Sequence, residues 1–190
     1  MSDQPVEKHP LRPFLPATGR ILFLGSFPPP RTRWSMEFFY PNIMNDFWRI
    51  MGLIFHDDKD AFVVAGERRF DYDGIVDFAH REGLAFYDTA SAVRRLKGNA
   101  SDNFLEIVTP TDVAALLAEM PMCERIVTTG GKASEELQRQ LGVDVQPSIG
   151  TCVTCRFADR DVEWWRMPSS SRAYPLALPK KAELYRRLFV

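Results

Sequence analysis

Residues 20–30 read Arg20-Ile21-Leu22-Phe23-Leu24-Gly25-Ser26-Phe27-Pro28-Pro29-Pro30, an apolar run that stops at a glycine and passes into three consecutive prolines. A short apolar run without polar alternation is typical of a strand that is buried on both faces. Proline lacks a backbone N–H and fixes φ, so the residues after Phe27 cannot continue the strand. The stretch therefore predicts a sheet that is covered by helices on both sides, with a stiff loop at the carboxyl end of one strand.

Strands and helices alternate along the rest of the chain. Further strands are predicted at residues 84–88, 125–129, 151–157 and 162–167, the last two paired around a turn at 158–161. Helices are predicted at 45–55, 71–81, 113–120, 132–141 and 180–189, the third of them capped by Thr111-Asp112. This order predicts an α/β fold, a three-layer αβα sandwich with a central, mainly parallel four-stranded sheet. We expect one domain over residues 1–190, with residues 1–18 poorly ordered or lying along its surface.

The charge balance excludes a strongly basic protein that coats DNA. Of the 190 residues, 24 are Lys or Arg and 25 are Asp or Glu, which gives a formal net charge of −1. A protein that holds only a few phosphates with a local patch remains compatible with this balance. The N-terminus has no basic region followed by an apolar core, and no apolar run reaches the length of a membrane helix. We therefore expect a cytoplasmic protein without membrane contact.

The cysteines do not predict a metal centre. There are three of them, and Cys152-Val153-Thr154-Cys155 forms a single C-x-x-C. Structural zinc normally takes four ligands, and no second C-x-x-C or nearby His supplies the remainder. We expect cysteines without a metal-binding role, and neither a metal nor another cofactor.

In parallel sheets, ligands bind beyond the carboxyl ends of the strands, which directs attention to the loops after Leu24, Thr129 and Met167. In the first loop, the backbone N–H groups of Ser26 and Phe27 could point at a carbonyl or an anion. The alternative is a rigid loop without a ligand. The loop lacks the Gly-Lys-Ser/Thr of a phosphate-binding loop and the G-x-G-x-x-G of a dinucleotide site.

Two further loops carry candidate binding residues. An aromatic loop before the first helix contains Tyr40, which could stack on a base, and Asn42 and Asn45, which could equally cap the helix. After the last strand, small hydroxyls and an arginine suit phosphate contacts, although a polar surface loop is the alternative. These phosphate-binding candidates are Ser169, Ser170, Ser171 and Arg172, and Lys132 after Gly130-Gly131 is another, with a solvated lysine as its alternative.

Taken in order, the loops resemble the motifs of the uracil-DNA glycosylase superfamily, over about residues 20–190. Gly25-Ser26-Phe27-Pro28-Pro29 resembles the first motif, and Met167-Pro168-Ser169-Ser170-Ser171 resembles the second, of the L-P-S-x-S kind. The stretch from Tyr40 to Trp48 is similar to the family's Y-x-H-P-x-N-x-F-W. The branch with mismatch-specific and hypoxanthine-type enzymes is the most similar.

The resemblance implies base-excision repair: hydrolysis of the N-glycosidic bond of a deaminated or mismatched base, hypoxanthine or uracil, after the nucleotide is flipped out of the duplex. Uracil-removing branches often carry Asp or Asn at the position of Phe27, and Asn42 replaces the motif histidine. In the hypoxanthine-type branch the loop asparagine is implicated instead, and the matching residue is Asn45. It would orient water, because an amide is not a useful base. Ser26, Phe27, Tyr40 and Asn42 would contact the base.

Three functions follow from these observations. The first is a monofunctional DNA glycosylase, a monomer whose partner is DNA. The second is a non-catalytic nucleic-acid-binding domain, which Phe27 and Asn42 favour because both remove polar groups that the family commonly uses. The third is an α/β enzyme acting on a free nucleotide, which the absence of a long basic stripe favours.

Overall fold

A computed structural model of the chain describes residues 4–97 and 101–190. Its main sheet has the strand order β3-β2-β6-β8-β7. These strands are β2 (Ile21–Gly25), β3 (Leu84–Asp88), β6 (Arg125–Thr129), β7 (Thr151–Phe157) and β8 (Arg160–Met167). Four of them are parallel, and β7 pairs antiparallel with β8 at the edge.

The sheet thus has five strands, and the prediction of four was wrong. The fifth strand comes from the tight hairpin between β7 and β8, in which Ala158 and Asp159 both have positive φ angles, 50° and 61°. Two left-handed residues in a two-residue loop suit the right-handed twist of paired strands, so the chain returns directly beside β8.

Helices cover both faces of the main sheet. They are α1 (Phe47–His56), α2 (Tyr72–Arg81), α3 (Val113–Ala118), α4 (Gly131–Leu141) and α5 (Leu178–Arg186). Side chains alternate along a strand, so Ile21 and Phe23 of β2 pack with α1, α2 and α5, while Leu22 and Leu24 pack with α3 and α4. This alternation places β2 between two apolar layers, as its unbroken apolar run predicts.

Several helix ends differ from prediction by one to three residues. Helix α1 begins at Phe47 and not at Asn45, because the side-chain oxygen of Asn45 accepts the Phe47 N–H before the helix starts. Helix α3 ends at Ala118. Helix α5 runs from Leu178 to Arg186, with Pro179 in its first turn, and a 3₁₀ turn follows to Phe189.

A second, antiparallel sheet was not predicted. It consists of β1 (Glu7–Lys8), β4 (Ala90–Arg95) and β5 (Leu105–Pro110), in the order β1-β4-β5. Through β1, and through a bridge between Phe14 and Phe86, the N-terminal segment lies against the body of the protein. Among the described residues, no helix is both long and apolar enough to cross a membrane.

Candidate functional site

The three predicted loops meet at the carboxyl edge of the main sheet. The hydroxyl of Tyr40 lies 2.9 Å from Oγ1 of Thr129 at the end of β6. One residue further, a Cβ placed on Gly130 would lie 3.6 Å from the side chain of Ser169, in the loop after β8. The N–H of Asp46 donates to the carbonyl of Ser170 at 2.9 Å. Loops 40–46 and 167–172 therefore border one region with the end of β6. Loop 25–30 borders it too, because a Cβ on Gly25 would lie 3.8 Å from the Tyr40 hydroxyl.

The first loop is held by the segment that follows β3. The N–H and hydroxyl of Thr89 both donate to the carbonyl of Gly25, at 2.8 and 3.1 Å. The N–H of Ala90 donates to the carbonyl of Ser26 at 3.2 Å. The hydroxyl of Ser26 donates to Oδ1 of Asp102 at 2.7 Å. These contacts fix the turn in which the backbone of Ser26 and Phe27 is placed.

A glycine is required at the start of this loop. A Cβ on Gly25 would lie 2.6 Å from Oδ1 of Asp88 and 3.8 Å from the hydroxyl of Tyr40. The first distance is shorter than any normal carbon–oxygen contact. The missing side chain therefore leaves a notch bordered by a carboxylate and a phenol.

Tyr40 has one face already covered. Its ring stacks on Phe47 with centroids 3.9 Å apart and planes within 5°. Its φ is 53°, an unusual backbone conformation for a non-glycine residue. Burial is the main cause that raises the pKa of its hydroxyl, so it stays protonated. Only its other face and its edge remain for a ligand.

Asn42 and Asn45 both use their side-chain oxygen to order the loop. Oδ1 of Asn42 accepts the Met44 N–H at 3.0 Å, and Oδ1 of Asn45 accepts the Phe47 N–H at 2.9 Å. Within the described residues, the Nδ2 group of neither asparagine makes a hydrogen bond. Each amide is therefore oriented by its oxygen and presents two N–H donors.

In the third loop the serines differ in their exposure to solvent. Ser170 is buried, whereas Ser169 and Ser171 are half-buried and accept backbone N–H groups from residues two further along. Nε of Arg172 lies 3.2 Å from Oδ1 of Asp46, with 44% of the Arg172 side chain exposed. This ion pair agrees with the alternative of a polar surface loop. The exposed part of the Arg172 side chain nevertheless remains accessible to a ligand.

Lys132 is less free than a phosphate-binding lysine needs to be. Its Nζ donates to the carbonyl of Leu105 at 2.8 Å and ties α4 to the second sheet. A role in binding DNA would require this bond to open. Its assignment stays a prediction.

A buried lysine that was not predicted as a site residue joins two of the loops. Lys181 in α5 is 0% exposed, and its Nζ donates to Oδ2 of Asp46 at 2.9 Å and to the carbonyl of Ser171 at 2.7 Å. The fixed charge thus holds the residue after Asn45 and the residue before Arg172 together. Lysine is almost never fully buried unless it is paired. Because the partner lies 135 residues away, no local sequence pattern indicates this pair.

Two acidic residues near the first loop were also not predicted as site residues. Oδ2 of Asp88 lies 2.8 Å from Nε2 of His9, which the N-terminal segment contributes. Asp102 accepts the Ser26 hydroxyl, and burial is the main cause that raises the pKa of its carboxyl. The separation of 79 residues between His9 and Asp88 left no local signal of this pair.

The cysteines are free, and Cys155 lies in the core with α3 and α4. Among residues 4–97 and 101–190, no group of three or more His, Cys, Asp and Glu side chains could hold a metal ion.

Comparisons with known proteins bear on the fold. A scan against protein-family models and a search of curated proteins found no match. Among solved structures, the chain is similar to the solution NMR structure of a "putative Uracil DNA glycosylase" from Methanosarcina acetivorans. The TM-score is 0.64 at 21% identity, over 97% of this chain and 99% of that one. At this identity the likeness establishes the fold: the two proteins share one α/β architecture over almost their whole lengths.

Proposed function

We propose that this protein is a monofunctional DNA glycosylase that hydrolyses the N-glycosidic bond of a deaminated or mismatched base, hypoxanthine or uracil. The observation that carries the proposal is the meeting of loops 25–30, 40–46 and 167–172 at the carboxyl edge of the sheet. The fold is shared with a protein named as a putative uracil DNA glycosylase, which supports the same activity. The substrate is DNA, and no cofactor takes part. A single-domain, monomeric, cytoplasmic enzyme is part of the proposal.

The bond is hidden in a duplex, so the nucleotide is first flipped out, at a cost of about a few kcal/mol that is smallest for a mismatched base. The backbone N–H groups of Ser26 and Phe27 bond a carbonyl of the base and stabilise the negative charge that develops as it leaves. The free face or edge of Tyr40 contacts the ring of the base. Asn42, in the same loop as Tyr40, also contacts the base.

Water attack then needs orientation more than a strong nucleophile, because a sugar with oxocarbenium character reacts readily. Asn45 is suited to orient the water, since its oxygen is fixed by the Phe47 N–H and its Nδ2 group is free to donate. Ser169, Ser171 and Arg172 contact phosphates beside the flipped nucleotide, and Ser170 supports the turn from its buried position. Lys132 adds a phosphate contact if it leaves Leu105.

The test is excision from labelled duplexes that carry uracil, hypoxanthine or mismatched thymine. Abasic sites are cleaved with alkali, and a parallel sample without alkali checks that the protein itself does not cut the strand. We expect product only after alkali. The absence of product from every duplex at stoichiometric protein would refute the proposal, and binding without excision would favour the non-catalytic nucleic-acid-binding domain. Activity on free nucleotides alone would favour the α/β enzyme that acts on a free nucleotide.

Asn45 provides a second test. Asn45→Ser keeps an oxygen that can accept the Phe47 N–H but lacks the amide donors, whereas Asn45→Ala lacks both. Loss of a positioned water should lower the single-turnover rate about 10²-fold in both variants. Thermal stability should fall more in Asn45→Ala, by about 1 kcal/mol for the lost cap. A serine variant with the wild-type rate would reject the catalytic role of the amide.

A further inference from the structure

A carboxylate lies in the notch that Gly25 leaves open. Oδ1 of Asp88 is 2.6 Å from the position that a Cβ of residue 25 would occupy, and the Tyr40 hydroxyl is 3.8 Å from the same point. Asp88 pairs with Gly25 in the register of β2 and β3, so both residues end their strands at the same edge. The carboxylate therefore belongs to the region that the three loops border.

The two oxygens of Asp88 have different surroundings. Oδ2 lies 2.8 Å from Nε2 of His9, and a carboxylate can only accept, so the imidazole donates. Oδ1 makes no hydrogen bond within the described residues. Oδ1 is not fully buried. Oδ1 therefore keeps some contact with solvent, on a side chain that is 10% exposed.

His9 is built into the fold as a support. Its side chain is only 2% exposed. It packs against Tyr87 and Phe27, with ring centroids 4.5 and 5.2 Å apart. The backbone N–H of His9 donates to the carbonyl of Ser91, which fixes the N-terminal segment beside β4. A histidine placed in this way holds the carboxylate and the first loop in one arrangement.

Other carboxylates near the loops are less suited to accept a proton from water. Asp46 is paired with Lys181 and Arg172, so its charge is already neutralised. Asp102 accepts the Ser26 hydroxyl, and this bond holds the first loop. Asp88 is thus the carboxylate of the described chain that combines access, a fixed geometry and a place beside the first loop.

We propose that Asp88 is a catalytic carboxylate of this site and that His9 is the positioning residue that holds it. The inference rests on the proposed glycosylase function and adds the proton acceptor that Asn45 cannot be. The C1′–N bond breaks and both its electrons leave with the base. The water oxygen bonds to C1′, and its proton passes to Oδ1 of Asp88. Transfer of that proton to the departed base anion, directly or through solvent, restores the carboxylate.

The experiment compares excision with binding. Single-turnover rates are measured at saturating enzyme for wild type, Asp88→Asn, His9→Leu and His9→Gln, and affinity is measured for a duplex with a non-hydrolysable 2′-fluoro nucleotide. Lys8→Ala is the control on the same segment, because its side chain is exposed. Melting temperatures of all variants check that each is folded.

We expect Asp88→Asn to lose about 10²- to 10⁴-fold in rate, the range for removal of a general base, with little change in affinity. His9→Leu should lose rate in the same way, and His9→Gln should recover part of it, since its amide can donate to Oδ2. Lys8→Ala should match wild type. A merely structural role would instead lower affinity, rate and melting temperature together.

The outcomes separate this inference from the proposed function. If wild type excises the base and Asp88→Asn does so at the same rate, the role of Asp88 is overturned and the glycosylase proposal remains in place. If Asp88→Asn is unfolded, the pair His9→Leu and His9→Gln decides: equal rates in the two, or wild-type rates in both, would overturn the inference. No excision by wild type would overturn both proposals.

Discussion

Replacing Lys181 by methionine should destabilise the protein more than any neighbouring lysine substitution. Methionine fits the aliphatic path of the side chain but removes the charge that contacts Asp46 and the Ser171 carbonyl at 2.9 and 2.7 Å. Asp46 would then keep only Arg172, whose side chain is 44% exposed and therefore a weak partner. The variant leaves a buried carboxylate without compensation.

Breaking a buried ion pair by removing one partner costs about 3–5 kcal/mol. Because Arg172 still contacts Asp46, we expect the lower end, about 3 kcal/mol. For a chain of this length, that corresponds to a fall in melting temperature of about 6–12 °C.

The assay is urea unfolding followed by two probes, with free energies from linear extrapolation. Lys180→Met is the matched control, since Lys180 is the preceding residue and forms an exposed pair with Glu183. Its midpoint should not change. A loss below about 1 kcal/mol for Lys181→Met, or equal losses for both variants, would refute the view that the buried pair joins the two loops.

Two further predictions concern the first loop. Gly25→Ala should lose about 1–3 kcal/mol in urea unfolding, because its Cβ would lie 2.6 Å from Oδ1 of Asp88; Gly131→Ala, with no atom within 4 Å of its Cβ, is the control and should not be destabilised. Asp102→Asn should gain stability relative to wild type as pH rises from acid to neutral. The reason is that burial raises the pKa of the folded carboxyl, so the stability that protonated Asp102 supplies at low pH is lost when it ionises. Parallel urea midpoints across that pH range would contradict the assignment.

The sequence determined the main sheet and its helices because their signals are local. An apolar run such as Ile21–Leu24 and a capping residue such as Asp112, which accepts the Ala115 N–H, act within a few residues. Strands β3 and β6 have the predicted bounds. Strands β4 and β5 were not predicted, since short segments of mixed polarity gain their stability from pairing with each other and with β1. Strand β7 also has the predicted bounds and pairs with β8 as predicted, although the sheet was expected to have four strands.

The site divides in the same way. The rule for parallel sheets predicted that the loops after Leu24 and Met167 lie at one edge of the sheet. The aromatic loop at 40–46 was predicted from its own residues, which precede the first helix. The pairs His9–Asp88, Ser26–Asp102 and Asp46–Lys181 join residues 79, 76 and 135 positions apart. Only the packed fold brings such groups within hydrogen-bond distance, because the requirement to pair a buried charge selects a partner in space and not in sequence. The sequence by itself predicted which loops would form the candidate site, and the tertiary structure decided which charged side chains lie beside those loops.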